Sequence, residues 1–152
     1  MWTQTDRMPL HMIKVCVGVE TVEDLEAWTD QRRAERRARG EPDEQFHITR
    51  VMPKRADEIL DGGSLFWVIR GHVQVRQPVI RFETMRTEDG IDRCRIVLAP
   101  EFRRTSWLAR RPFQGWRYLI GEDAPADLGA DEQDILTLPP ALRRELADLG
   151  LI

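Results

Sequence analysis

The fold is decided by residues 65–98, which read LFWVIRGHVQVRQPVIRFETMRTEDGIDRCRIVL. Residues 65–69 are apolar at every position, which predicts the start of a strand that is buried on both faces. From Arg70 to Arg76 polar residues alternate with glycine or valine, so we expect the same strand to continue with one polar face. Pro78 then interrupts the alternation, and we expect a bulge, a bend or a new strand there.

The second half of this stretch predicts a β-hairpin. Asp89 and Gly90 separate two strand-like runs, residues 79–86 and 91–98. The Asp-Gly pair favours a type I′ turn, because that turn needs positive φ at both central positions. The hairpin and the strand before it therefore predict a sheet with antiparallel neighbours.

Upstream residues predict two further strands and two helices. Residues 11–19 are rich in valine and isoleucine and predict a first strand. Thr21 is a typical N-cap for the helix that follows, with an acidic residue three positions later, and Gly40 marks its end. Residues 46–52 predict a second strand, and residues 53–60 predict a short helix that begins with proline.

The first helix has two different halves. Val22, Leu25 and Trp28 form an apolar stripe that we expect to face the core. The second half carries a run of arginines that is most simply a solvated face, with nucleic-acid contact as the alternative. The run consists of Arg32, Arg33, Arg36, Arg37 and Arg39.

Downstream residues predict one more strand and a closing helix. Residues 113–120 form the strand, and residues 121–138 form an acidic linker exposed to solvent. Residues 139–152 begin with two prolines and form a helix, in which Leu142, Leu146 and Leu149 would dock on the body of the protein. We therefore expect one α+β domain over residues 1–152, with its folded body at 11–120. Its sheet would be antiparallel or mixed and strongly bent, or a small pseudo-barrel, flanked by the three helices.

Charge is divided unevenly along the chain. Residues 47–120 hold fourteen basic and eight acidic residues, whereas the rest of the chain holds nine basic and eighteen acidic ones. The net charge of −3 therefore does not exclude an anionic partner. Cys16 and Cys94 lie in apolar runs, which is typical of buried reduced thiols. No apolar stretch is long enough for a membrane span or a signal peptide, so we expect a cytoplasmic protein without a membrane partner.

The alternating polar residues after Ile69 predict an anion-binding site, which we call the basic strip. Arg70, His72, Gln74 and Arg76 would lie on one face of one strand, about 6.5 to 7 Å apart and open to solvent. Nearby tryptophans and a tyrosine would supply flat surfaces for bases, so RNA or a nucleotide is the expected ligand. The full set of expected contacts is Arg50, Lys54, Arg55, Arg70, His72, Gln74, Arg76, Arg110 and Arg111.

No pattern identifies a reaction or a cofactor. His11, His47 and His72 lack metal-ligand spacing, and no nucleophile elbow or phosphate-binding loop is present. We therefore expect a binding protein without metal or cofactor rather than an enzyme. Two alternatives stay open. One is an enzyme acting on an anionic metabolite, with His72 transferring a proton, and the other is a homodimer in which the acidic tail of one chain meets the basic middle of the next.

Four segments resemble a known family. They are residues 47–50 (HITR), 52–71 (MPKRADEILDGGSLFWVIRG), 73–77 (VQVRQ) and 110–118 (RRPFQGWRY). They are similar to a bacterial family called domain of unknown function 1489, over essentially the whole chain, and this resemblance implies no activity. The order of elements also resembles that of PUA-like pseudo-barrels, a group that includes RNA-binding modules. That second resemblance implies a pseudo-barrel and RNA as a partner.

Overall fold

A computed structural model describes residues 8–129 and 138–150. The strands are β1 (His11–Val15), β2 (Gln45–Thr49), β3 (Ser64–Ile69), β4 (His72–Arg86), β5 (Asp92–Leu98), β6 (Arg103–Ala109) and β7 (Trp116–Leu119). The helices are α1 (Val22–Ala38), α2 (Ala56–Leu60) and α3 (Pro140–Asp148). The α+β class is confirmed. Among the described helices, none is long and apolar enough to cross a membrane.

Within the described residues, the seven strands form one mixed sheet that does not close. Its order is β2-β5-β4-β3-β1-β7, and β6 pairs with β4 beside this path. The pair of β1 and β3 is parallel, and the other pairs are antiparallel. The two ends of the path approach each other, because Trp116 Nε1 donates to Val51 O at 3.2 Å and Arg55 N donates to Tyr118 Oη at 3.1 Å. The sheet is therefore strongly curved, with an open seam between β2 and β7.

Strand β4 runs through both halves of the curved sheet. Its first half pairs with β3 and β6, and its second half pairs with β5. The strand continues through Pro78, and the phase change after it is a bulge: Val79 pairs with Leu98 and Arg81 with Val97, so Ile80 is an extra residue. Ile80 is 49% exposed, so the bulge places this apolar side chain at the surface and interrupts the alternation of apolar residues along β4.

The predicted strand 65–76 is in fact two strands joined by a tight turn. Ile69 pairs with His72, so the turn consists of Arg70 and Gly71, whose φ angles are 51° and 85°. Positive φ at both positions is the type I′ geometry, which arginine rarely adopts. The hairpin at Asp89 is confirmed between β4 and β5, although only Gly90 has positive φ there.

Two segments after β5 differ from expectation. Strand β6 lacks an alternating pattern and was not predicted, yet it pairs with β4 along residues 72–76. Instead of extending into solvent, the start of the acidic segment lies along β6: Ser106 N donates to Ala126 O at 2.8 Å, and Leu128 N donates to Arg104 O at 2.9 Å. The rest of the expected linker, residues 130–137, lies outside the described residues.

The core has two clusters on opposite faces of the sheet. The larger one joins β1, β3, β4 and β5 to α1 and α2, and contains Met12, Leu65 and Trp67. The smaller one lies on the other face and contains Phe66 and Val73. Trp67 and Phe66 are 3% and 2% exposed, so their expected place in the core is confirmed.

The helices follow their sequence signals only in part. Thr21 Oγ1 accepts a hydrogen bond from Asp24 N at 3.0 Å, so the N-cap of α1 is confirmed. Trp28 is 45% exposed, in contrast to the buried Val22 and Leu25 of the same stripe.

In α3 the expected docking face was wrong. Leu142 and Leu149 are exposed at 38% and 66%, whereas Arg143 is 3% exposed. Arg143 docks because its Nη2 donates to Glu23 Oε1 of α1 at 3.3 Å and its guanidinium lies 5.9 Å from the Trp107 ring centre.

Candidate anion-binding site

The residues of the basic strip do not share one face of the sheet. Trp67 pairs with Val75 and the next residue of β3 pairs with Val73, so Gln74 is an extra residue that forms a bulge in β4. Directly paired residues lie on the same face of a sheet. Because the bulge reverses the alternation, His72 lies on the face of the larger cluster and Arg76 on the opposite face.

Two members of the strip are buried. His72 is 6% exposed, and its Nε2 lies 2.8 Å from Asp148 Oδ1 of α3. Its ring also contacts Trp107, with the ring centres 5.3 Å apart. Gln74 is 3% exposed, and its Nε2 donates to Ile69 O at 2.8 Å. The expectation that both residues face solvent was therefore wrong: Asp148 of α3 and Trp107 of β6 contact the His72 ring, and the Gln74 side chain bonds to the backbone of β3.

Arg76 is held by the acidic segment that was expected to be a free linker. Its Nε and Nη2 donate to the two carboxylate oxygens of Asp127, both at 2.8 Å, and its Nη1 donates to Ser64 Oγ at 2.7 Å. The hydrogen bond from Arg76 lowers the pKa of Asp127. The charge of Arg76 is thus balanced within the chain.

The other expected contacts are scattered over the surface. Arg70 lies in the turn and pairs with Glu20 at 3.2 Å, and Arg55 pairs with Glu58 at 2.7 Å. Lys54 and Arg111 are exposed, and Arg110 lies 5.8 Å from the Phe113 ring centre. Arg50 is exposed at the seam between β2 and β7. The structure does not bring these nine residues together, and their anion-binding role stays a prediction.

A different group of cations meets at the open seam of the sheet. The space between β2 and β7 has a volume of about 890 Å³. We call it the basic cleft, and its lining residues are Lys14, Ile48, Thr49, Arg50, Val51, Arg93, Gln114, Gly115, Trp116 and Arg117. Four of these are basic, and among the described residues that line the cleft none is acidic.

Each cation of the cleft comes from a different part of the curved sheet. Lys14 lies on β1 and is paired with Trp116 of β7 on the same face. Arg50 directly follows β2, and Arg93 lies at the start of β5. Arg117 follows Trp116 in β7 and pairs with Ile13 on the opposite face of the sheet, with its guanidinium 5.2 Å from the Phe113 ring centre. The seam therefore joins residues that are far apart in sequence. No local spacing in the sequence places these four cations together. Arg50 belongs to the full set of expected contacts, and Arg93 and Arg117 were expected only as part of the basic middle of the chain.

The cations of the cleft are poorly compensated. Arg93 Nη2 lies 3.2 Å from Asp89 Oδ2, and Arg117 Nη1 donates to Gln114 O at 3.3 Å. Lys14, Arg50 and Arg117 form no ion pair within the part of the chain that the structure describes. Burial lowers the pKa of Lys14, because the charged amine is partly removed from water. An anion in the cleft would supply the missing counter-charge and would compensate for the partial desolvation of Lys14.

A second space adjoins the cleft at Lys14. It has a volume of about 270 Å³, and we call it the aromatic cavity. Its lining residues are Lys14, Val15, Cys16, Val17, Gly18, Val19, Leu25, Trp28, Gln45, Phe46, His47 and Trp67. Three aromatic rings and one basic group therefore surround a space that opens beside the basic cleft.

One comparison with known proteins agrees with the first of the two resemblances, that to a family of unknown function. No curated protein matches the chain, and no solved structure matches it. One family model matches residues 12–152, which is nearly the whole chain. The chain therefore belongs to the family described as protein of unknown function (DUF1489).

Proposed function

We propose that the protein binds RNA or a nucleotide, and that the basic cleft holds its phosphates. The observation that carries this proposal is that Lys14, Arg50, Arg93 and Arg117 line one space in which no described lining residue is acidic. Arginine and lysine around a phosphate form short, charge-assisted hydrogen bonds, which are stronger than neutral ones. The site of the proposed function is thus the seam of the sheet and not the basic strip.

The contrast with other arginines supports this choice. Arg76, Arg81 and Arg104 each donate to one or two carboxylates at 2.6 to 3.2 Å, so an anion would have to displace a partner in the chain. Arg50 and Lys14 have no such partner among the described residues. Binding at the cleft therefore replaces water around these two cations and does not break an existing ion pair.

The cleft also offers a flat surface beside its charges. The Trp116 ring lines the cleft and is held by its hydrogen bond to Val51 O and by an edge contact with Tyr118, whose ring centre is 4.9 Å away. Bases of single-stranded nucleic acid stack on such rings, and a positively charged groove follows their backbone. Inorganic or carboxylate anions would make no use of Trp116.

The enzyme alternative loses its main observation. It depended on an accessible His72, but that imidazole lies behind Asp148 and Trp107. A substrate would reach His72 only after α3 had moved. The homodimer alternative depended on an acidic tail that is free to meet a basic neighbour, and Asp127 and Asp148 already contact basic strip residues of their own chain.

A titration of binding against salt tests the proposal. A short, unstructured, fluorescently labelled RNA would be bound to the wild type, to Arg50→Ala/Arg117→Ala, and to Arg39→Ala/Arg103→Ala as a control with the same charge change. Arg39 and Arg103 are exposed and pair with neighbouring glutamates outside the cleft. Loss of two phosphate contacts should weaken binding about tenfold or more and make the slope against log salt shallower by about 1.4.

The control variant should retain both the affinity and the slope of the wild type. Equal weakening by both double variants would show that the net charge matters and the cleft does not. Absence of RNA and nucleotide binding by the wild type at low salt would overturn the proposal directly.

A further inference from the structure

The aromatic cavity has the volume and lining of a site for one flat ring. Trp28, Phe46 and Trp67 line it from three different elements, and Leu25 and Val19 complete its apolar surface. Its volume of about 270 Å³ is at the small end of the range for ligand sites, which is too little for a large metabolite. Aromatic rings around such a space favour a planar group that can stack.

The rings are held in place by polar contacts behind them. Trp67 Nε1 donates to Gln77 Oε1 at 2.8 Å, and Gln77 Nε2 donates to Gln45 Oε1 at 2.5 Å and to Ala99 O at 3.0 Å. Gln77 is fully buried, so this network is closed to water. The guanidinium groups of Arg36 and Arg95 each lie 4.3 Å from the ring centre of Phe46. The Phe46 ring is already in contact with two cations, so the stacking surfaces of the cavity are those of Trp28 and Trp67. A site whose rings are fixed in advance loses little conformational entropy when a ligand binds.

Trp28 is the most exposed aromatic side chain among the described residues that line the cavity. It belongs to the apolar stripe of α1, yet it is 45% exposed whereas Leu25 is 2% exposed. Arg32 lies over its ring at 4.7 Å and orients it. An exposed, oriented tryptophan at the edge of an apolar cavity leaves a stacking surface that the fold itself does not use.

Two polar groups of the cavity, the His47 imidazole and the Cys16 thiol, are neutral. Burial lowers the pKa of His47 to about 4 and raises that of Cys16 to about 11, so the imidazole and the thiol are both uncharged near pH 7. His47 contacts Trp67 edge to face at 5.4 Å, and its ring forms no hydrogen bond with any residue that the structure describes. A neutral imidazole can donate and accept hydrogen bonds at the edge of a base. Among the described residues that line the cavity, Lys14 is the only one with a charged side chain, and it also lines the basic cleft.

We infer that the aromatic cavity receives one unpaired nucleobase of the ligand whose phosphates lie in the basic cleft. Lys14 stands at the junction, where the ribose-phosphate of that nucleotide would pass from one space into the other. His47 would hydrogen-bond the edge of the base while Trp28 and Trp67 contact its faces. This inference rests on the proposed function, since it names the part of the ligand that the second space takes.

The test compares two ligands with equal charge. One is a short single-stranded RNA, and the other is an abasic oligonucleotide of the same length, which keeps the phosphates but has no bases. Each would be titrated against the wild type, Trp28→Ala and Trp28→Phe. Trp28 is partly exposed, so both variants should fold, and equal melting temperatures would establish this.

We expect the wild type to bind RNA at least tenfold more tightly than the abasic ligand, since stacking of a base contributes about 1–3 kcal/mol. Trp28→Ala should weaken RNA binding about tenfold and leave abasic binding unchanged, and Trp28→Phe should keep most of the RNA affinity. If Trp28→Ala lowered the affinity for both ligands equally, or for neither, the cavity would not hold a base and this inference would fail.

The proposed function would survive that failure, provided that Arg50→Ala/Arg117→Ala still weakened both ligands. If neither ligand bound to the wild type, both the proposed function and the inference would fail. The two failures are therefore distinguishable in one set of titrations.

Discussion

Arg76 and Asp127 form a two-pronged ion pair, in which Nε and Nη2 each lie 2.8 Å from one carboxylate oxygen. This contact joins β4 to the acidic segment that follows β7. An acidic residue of the tail therefore compensates a basic residue of the middle segment, although the two are far apart in sequence. The contact also means that the most basic part of the sequence is not the most available cation surface.

This ion pair should contribute measurably to stability. Asp127 is more than a third exposed as a side chain, so solvent screening limits the coupling between the two residues to about 1 kcal/mol. A double-mutant cycle with Arg76→Ala and Asp127→Asn, followed by chemical denaturation, would measure it. The pair of Arg103 and Glu101 is exposed on both sides and serves as a control, with an expected coupling of less than about 0.5 kcal/mol. Equal coupling for the two pairs would show that Asp127 does not hold the acidic segment.

The turn between β3 and β4 should be easy to stabilise. Arg70 has a φ of 51°, which costs a residue with a side chain about 1 kcal/mol relative to a suitable turn residue. Arg70→Asn creates an Asn-Gly pair, the preferred type I′ sequence, and should raise the free energy of unfolding by up to about 1 kcal/mol. Arg70→Val should lower it, because β-branched residues rarely adopt positive φ. Thermal melting of both variants would check this, and a stabilising Arg70→Val would contradict the turn.

Local signals predicted the elements whose start or turn is determined by neighbouring residues. The N-cap at Thr21 and the hairpin at Asp89 depend on neighbouring residues, so a short window of sequence contains the whole cause. The turn at Arg70 was missed because its positive φ is imposed by the pairing of Ile69 with His72, not by the preference of arginine. The strand β6 was missed for a similar reason, since its pairing with β4 outweighs a sequence that has no alternation.

The candidate site was harder to predict than the fold. A bulge at Gln74 adds one residue to β4 and reverses every side chain beyond it, so alternation alone placed His72 and Arg76 on one face. The basic cleft depends on the curvature of the whole sheet, which brings Lys14, Arg50 and Arg117 together from three separate segments. No pattern in the sequence indicates that these three residues lie close together.

The stability of the protein should fall as the solution is acidified below about pH 6.5. Burial lowers the pKa of His47 to about 4, and burial together with the nearby Arg76 lowers the pKa of His11 to about 4, whereas in an unfolded chain both titrate near 6.5. Between about pH 4 and 6.5 the unfolded chain therefore binds more protons than the folded one, so the free energy of unfolding decreases as the pH falls through this window. Each histidine contributes up to about 3 kcal/mol to that decrease.

His47→Gln isolates one of these contributions. Urea denaturation at pH 7, 5.5 and 4 should give a smaller loss of stability for His47→Gln than for the wild type, because one of the two buried imidazoles has been removed. The lowered pKa of Asp127 affects stability only below about pH 4, so it does not interfere. Identical pH profiles for the variant and the wild type would mean that His47 is not desolvated in the fold.

Lys14 should strengthen ligand binding and lower the stability of the protein without ligand. Its amine is half-buried, has a lowered pKa and forms no ion pair within the described residues, so the fold carries the cost of partly desolvating a charge. Lys14→Met keeps the length of the side chain and removes the charge. We expect it to raise the free energy of unfolding by about 0.5–1 kcal/mol and to weaken RNA binding about tenfold.

Lys54→Met is the control, because Lys54 is exposed and outside the cleft, and it should change neither quantity. Denaturation and RNA titration of both variants would separate the two effects. A Lys14→Met protein that lost both stability and affinity would show that this lysine is a structural residue and not part of a binding site.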